Sequence, residues 1–307
     1  HLVISFFMPL TPETSIPSFL SYLRFQKRYA QHTLLSYTHD LTSFEQYLKE
    51  TYSDEIPARA TPVMVRSWLA SMRESGIQAR TINRKISALK SFYKYLLREQ
   101  LIEDSPMSAI LSPKVKKRLP QYVEKQDMDR LFQEDMFPDN FKGETQRLIL
   151  QILYSTGIRR SELLNLKEQH IDFSNQTIKV LGKGSKERLI PVNAPLLTLI
   201  RAYRELKNAL DGETDREFLL VNEKGSRVQS GFIYSTVKEY LSKVTTIQRR
   251  SPHILRHTFA THLTGNGADL NAVKELLGHS SLAATQVYTH NHIEKLKEIH
   301  KKAHPKS

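Results

Sequence analysis

The sequence predicts a mainly α-helical protein of two domains, the second carrying a small antiparallel β-sheet. Three observations carry that expectation. Residues up to about Ile110 show four successive amphipathic stripes with almost no strand signal. A basic stretch at 111–121 is then interrupted by Pro113 and Pro120. Beyond it, short strand-like runs at 170–173, 177–181 and 188–192 stand among helical segments. A chain of 307 residues with 39% hydrophobic content is long enough to bury two cores.

The first domain is expected over 8–110. The apolar run Leu2 to Phe7 is too short to span a bilayer and lacks a preceding basic region, so Met8 is a candidate start with residues 1–7 as upstream sequence. Ile16, Phe19, Leu20 and Leu23 recur at i, i+3, i+4 and i+7, as one buried helical stripe requires. Leu34, Tyr37, Leu41, Phe44 and Leu48 repeat the pattern. Thr61-Pro62 reads as a helix start, and Gly76 stops the helix that carries Val65, Trp68, Leu69 and Met72. A fourth helix buries Ile82, Ile86, Leu89, Tyr93 and Leu96 and presents Arg80, Arg84, Lys85, Lys90 and Lys94 on its other face. Such a basic face fits either a solvated surface or one that meets a polyanion.

Prolines and the run Lys114, Lys116, Lys117, Arg118 mark 111–121 as a linker, leaving 122–307 as the second domain. Helices are expected at 125–135, 144–155 and 159–166, then the three strands, with turns at Ser174-Asn175 and Gly182-Lys183-Gly184. Further helices are expected at 194–209 and 230–243, with a short strand at 218–221 between them. The remainder is helical apart from breaks at glycine.

Lys and Arg number 45 against 32 Asp and Glu, a net charge of +13. That excess favours a polyanionic partner, nucleic acid or an anionic membrane, and no long apolar span supports the membrane. Cysteine is absent, which excludes disulfides, thiolate metal sites and a cysteine nucleophile, and fits a reducing cytoplasm.

The chemistry concentrates in HILRHTFATHL and DLNAVKELLGHSSLAATQVY, which hold His253, Arg256, His279 and Tyr288. A guanidinium fits two phosphate oxygens, imidazoles exchange protons near neutrality, and a phenol can attack phosphorus once cations or a base lower its pKa from about 10. His253 and Arg256, three apart, share one helical face. Each motif alone also fits ordinary packing, with Gly278 as a helix end. Upstream, TGIRRSELLNL holds Arg159 and Glu162, with Arg159 expected in the first turn of the helix after Gly157. IKVLGKGSKERLIPV holds Lys183, Lys186 and Arg188; it lacks phosphate-loop spacing and reads as a hairpin whose tip presents Lys183. Glu162 is read either as orienting a cation or as a surface pair. His253, His257 and His262 lack the partners a metal site needs, so no metal is expected. His257 is assigned to structure, and His262, His290 and His292 to surface or packing.

In this order Arg159, Lys183, His253-x-x-Arg256, His279 and Tyr288 resemble the signature of the tyrosine recombinase (lambda-integrase-like) family. The tail YTHNHIEKLKEIHKKAHPKS is most similar to the Xer-type bacterial branch. The resemblance covers nearly the whole chain. It implies an N-terminal helical core-binding (SAM-like) domain, a catalytic domain with a C-terminal exchange helix, and site-specific strand exchange through a 3′-phosphotyrosyl intermediate. In that scheme Tyr288 is the nucleophile, Arg159 and Arg256 bind phosphate, Lys183 is the general acid, His253 assists proton transfer and His279 hydrogen-bonds the phosphate. Glu162 supports, and Arg80, Arg84, Lys85, Lys90, Lys94, Lys186 and Arg188 are expected to meet DNA. No cofactor is implied. The implied partners are double-stranded DNA, like or related subunits forming a tetramer on paired sites, and a DNA translocase, with no membrane. Chromosome or plasmid dimer resolution is the role expected of this branch. The alternatives are a mobile-element integrase, a type IB topoisomerase, and a non-catalytic DNA-binding protein of the same fold. The tail either packs on its own domain or, as the resemblance implies, exchanges into a neighbour.

Overall fold

Four apolar stripes become four helices that close on one core in the computed structural model. Its described residues are 10–53, 55–115, 121–182, 187–278 and 290–305, with Glu134 and 290–295 described by backbone alone. The chain divides into two compact units, one up to Arg118 and one from Leu119.

In the first unit α1 (Ser15–Ser21) continues into a π-helical turn, Tyr22–Gln26, and α2 (Gln31–Thr51), α3 (Pro62–Glu74) and α4 (Ala79–Arg98) follow. Phe19 meets Phe92 edge-on at 5.5 Å between ring centres, and Phe44 lies 4.8 Å from Trp68, so aromatic pairs join the stripes. Thr61 caps α3 by accepting from Met64 N at 3.4 Å, with Pro62 at the first helical position as expected.

One member of the basic face is not on the surface. Arg80, Arg84, Lys90 and Lys94 are exposed, but Lys85 is buried, its Nζ 3.3 Å from Asp40 Oδ1 and 5.2 Å from the Trp68 ring centre. The expected DNA contact at Lys85 is therefore corrected: α2 places a buried carboxylate opposite it, and a buried cation needs such a partner. Arg84 also pairs with Asp40, and its Nη1 donates to Ser36 Oγ at 2.6 Å.

The second unit is built on α6 (Phe141–Thr156), which packs against helices on several sides. Before it come α5 (Lys125–Leu131) and a 3₁₀ turn, Glu134–Met136, in place of the single helix expected over 125–135. α6 starts earlier than expected because Asn140 caps it, accepting from Gly143 N at 2.8 Å. After α7 (Arg160–Leu164) the strands β1 (Ile171–Asp172), β2 (Thr177–Leu181) and β3 (Glu187–Pro191) form an antiparallel sheet in that order. Asp172 Oδ1 accepts from Asn175 N at 2.8 Å and closes the first turn. The expected strand at 218–221 is reduced to two isolated bridges, Lys167 with Phe218 and Val221 with Arg227. Helices α8 (Ala194–Asn208), α9 (Ser230–Val244), α10 (Pro252–Gly265), α11 (Leu270–Leu277) and α12 (His290–Ala303) complete the unit. Leu296, His300, Ala303 and His304 are buried where α12 packs on α10, α11 and β3 of its own unit.

Candidate active site

The site is assembled at two helix ends. α6 stops at Gly157, whose left-handed φ of 61° turns the chain sharply; a Cβ there would run into Phe259 and lie 2.9 Å from Leu277 Cδ2. Two residues later Arg159 stands before α7 as its N-cap, with extended backbone (φ −74°, ψ 153°), rather than in the first turn as expected. The reason is Glu162, whose Oε2 accepts from Arg159 N at 2.7 Å and so caps the helix from its third residue. α11 stops at Gly278, also left-handed at 65°.

The last carbonyls of α11 hold three arginines in succession. Leu276 O accepts from Arg188 Nε at 2.9 Å, Leu277 O from Arg256 Nη2 at 2.6 Å, and Gly278 O from Arg159 Nη2 at 3.3 Å. These are the orphan acceptors at the negative end of a helix dipole, where cations are favoured. Arg256 spans both helix ends, because its Nη1 donates to Gly157 O at 2.7 Å.

Glu162 joins two of the guanidiniums. Its oxygens accept from Arg188 Nη1 and Nη2 at 2.9 and 2.8 Å and from Arg159 Nη1 at 2.9 Å. The Glu162 side chain is 3% exposed and that of Arg188 6%, whereas that of Arg159 is 41% exposed. Burial opposes the Glu162 charge, but Arg188 and Arg159 outweigh it and hold the carboxyl below its usual pKa. Three guanidiniums against that one carboxylate leave the cluster electropositive. Arg256 is buried, and desolvation, then the charge of Arg159, presses its pKa down to about 10, so it remains a cation at neutral pH. His253 opens to solvent from α10, and its pKa is lowered by the partial burial of its ring, then by His257, Arg256 and Arg159. It is thereby kept neutral at pH 7 and able to accept a proton.

The structure thus brings Arg159, Glu162, His253 and Arg256 together. Lys183, Lys186, His279 and Tyr288 lie outside the described residues. Arg188 is corrected: it does not present its charge to solvent for phosphate, because β3 turns it inward beside Ile190 and its donors are taken by Glu162 and Leu276 O. The alternation of β3 is the signal for this, since Arg188 and Ile190 share a strand face. Gly278, read as a helix end, signals free carbonyls at Leu276, Leu277 and Gly278, but nothing in the sequence says which cations they hold. His253 and His257 rings are 6.1 Å apart, and among the described residues no three His, Asp or Glu side chains converge as a metal site would require.

Residues 121–295 match the phage integrase family, and residues 16–100 match the phage integrase N-terminal SAM-like domain. The chain is 36% identical over 314 residues to a protein named tyrosine recombinase XerC from Chlorobaculum parvum, covering 94% of this chain and 93% of the relative. It is 38% identical over 295 residues to the XerC of Listeria innocua serovar 6a, covering 94% and 97%. Among solved structures, XerH recombinase bound to its difH substrate superposes with a TM-score of 0.67 at 20% identity, covering 96% of this chain and 83% of that one. The Tn1549 transposon integrase (aa 82–397), in complex with circular intermediate DNA, gives 0.68 at 20% identity, covering 92% and 98%. The two structures share the fold, and the curated relatives share the sequence over nearly its full length. The chain belongs to the phage integrase family, as a tyrosine recombinase of the Xer type, an enzyme of site-specific DNA strand exchange.

Proposed function

We propose that this chain resolves chromosome or plasmid dimers by cutting and rejoining duplex DNA through a covalent bond to Tyr288. The phenol oxygen attacks the scissile phosphorus, forming a 3′-phosphotyrosyl ester while the 5′ oxygen departs and takes a proton. The 5′ hydroxyl of the partner strand then attacks that ester, restores the diester and returns the phenol. The ester bond stores the energy, so the scheme is balanced without a nucleotide cofactor.

The observation that carries this reading is the pair of guanidiniums held at the ends of α6 and α11 beside a neutral imidazole. Arg159 keeps an exposed side while its other donors are fixed, and both terminal nitrogens of Arg256 are fixed on carbonyls, so neither must reorganise as charge grows on phosphorus. His253 is suited to take the phenol proton. Lys183 is assigned to protonate the leaving oxygen and His279 to hydrogen-bond the phosphate, by their match to the family signature. The partner is double-stranded DNA in the cytoplasm, bound by a tetramer of this chain alone or with a related recombinase, with a DNA translocase as a further partner. Among the described residues no helix is long and apolar enough to cross a membrane.

The test begins by sequencing DNA bound to the protein in cells and placing a nick in the recovered site. Wild type is expected to form a denaturation-resistant adduct, and Tyr288→Phe to lose it while keeping DNA binding. An adduct that persists in Tyr288→Phe removes the nucleophile assignment.

A further inference from the structure

We infer that Arg188 is a positioning residue for strand transfer: buried beneath the site, it sets the aim of Arg159 and the end of α11 through Glu162 and Leu276 O. The inference rests on the proposed reaction, in which Arg159 binds the scissile phosphate. Three observations carry it.

The first is where its donors go. Arg188 Nη1 and Nη2 take one oxygen each of Glu162, at 2.9 and 2.8 Å, and Nε takes Leu276 O at 2.9 Å. One planar fork therefore locks α7, which carries Glu162, to the end of α11, a geometry a lysine cannot reproduce. The second is charge. Glu162 also holds Arg159 through Nη1 and the backbone N. With Arg188 in place the carboxylate's attraction is shared. Without it, a nearly dry anion has Arg159 as its main counter-ion and draws that guanidinium inward, away from a phosphate. The third is close approach. A Cβ on Gly278 would lie 3.2 Å from Arg188 Nη1, so the left-handed turn that ends α11, just before His279 in the chain, rests directly on this guanidinium.

Arg188 is thus set apart from Arg159 and Arg256. It lies beneath the cluster, and its effect reaches phosphate only through the aim of another arginine. That separates it from a residue that merely supports the sheet, because a misaimed Arg159 weakens one specific interaction, the one with a charged phosphate oxygen.

The test compares wild type and Arg188→Lys on the nicked site recovered from cells, with the scissile linkage either an ordinary phosphodiester or a methylphosphonate. In the latter a neutral methyl replaces one charged oxygen, so less depends on arginine. Arg188→Lys is expected to bind the duplex like wild type and to form adduct roughly 10- to 100-fold more slowly on the phosphodiester, below the loss for deleting a donor outright. On the methylphosphonate its deficit is expected to shrink to a few-fold. Equal deficits on both substrates, or none on the phosphodiester, overturn the inference. If Arg188→Lys melts too low to assay, Arg188→Gln, which leaves Glu162 charged and keeps a donor to it, takes its place at a permissive temperature, and the same comparison decides. A second readout stands apart from Tyr288: the guanidinium NMR resonance of Arg159 in DNA-free protein is expected to move in Arg188→Lys. An unmoved resonance overturns the inference, whereas an adduct persisting in Tyr288→Phe overturns only the nucleophile assignment.

Discussion

Gly157 decides the approach of two helices by having no side chain. Its φ of 61° is a left-handed conformation, and the space a Cβ would need is occupied by Phe259 and Leu277. Gly157→Ala is therefore expected to cost about 1–2 kcal/mol for the backbone and about 1–3 kcal/mol for overpacking, read as a lower melting midpoint. Because Gly157 O also receives Arg256 Nη1, adduct formation by the surviving folded protein should fall too, which a single-turnover assay at a permissive temperature measures. Arg256→Lys tests the other side of that hydrogen bond. An ammonium cannot reach Gly157 O and Leu277 O in one plane and also meet phosphate, so a loss on the order of 100-fold is expected at nearly unchanged DNA affinity. Type and order in the sequence single out Arg159, His253 and Arg256, and the fold sets these three in one cluster. Lys85 and Arg188 read as exposed DNA contacts from sequence but are buried, because their surroundings are set by distant partners, Asp40 on α2 and Glu162 on α7, which no local pattern announces.

At the scale of elements, helix ends carry the design, and α12 adds to it. His300 Nε2 pairs with Ser155 O at 2.9 Å and His304 Nε2 with Tyr154 O at 3.3 Å, their rings stacked 4.9 Å apart. The tail thus grips the same end of α6 whose Gly157 carbonyl holds Arg256. Burial lowers the pKa of His300 from its ordinary 6.5, and His253, His262 and His170 shift the same way for the same first cause. A base that is harder to protonate when folded takes up protons on unfolding, so its stabilisation is complete above pH 6.5 and is lost as the pH falls through the folded value. The melting midpoint is expected to be flat above neutrality and to drop on acidification. His300→Gln should lower it at neutral pH and make the acid slope shallower, without abolishing it, since three other histidines contribute. An unchanged slope would remove His300 from this role. Element existence is legible from periodicity, whereas ends are not: α6 begins early at the Asn140 cap and α7 is shorter than its apolar pattern, because capping competes with pattern over single residues.

Across the whole molecule, the net charge of +13 and the architecture of two helical units are both readable from the chain, since composition and long periodic stripes average over local error. What composition cannot do is assign each charge to solvent, salt bridge or ligand, and the α4 face is the place where that assignment can be tested. Arg80, Lys90 and Lys94 are exposed, Arg84 is shared with Asp40, and Lys85 is buried. If the proposed DNA partner lies along that face, each exposed cation releases counter-ions from the duplex on binding. Replacing Arg80, Lys90 and Lys94 together by Gln is then expected to weaken binding and to reduce the slope of log affinity against log salt by about 2.7, at about 0.9 for each phosphate no longer neutralised. Lys85→Met supplies the contrast. It removes one charge of the same sign from the same helix, but from the interior, so the salt slope should stay as in wild type while Asp40, left to Arg84 without its buried cation, lowers the melting midpoint. Titrating duplex DNA at several salt concentrations separates the two variants. Equal slopes for the triple variant and wild type would make the exposed α4 cations a solvated surface, and a slope change in Lys85→Met would return that lysine to the interface.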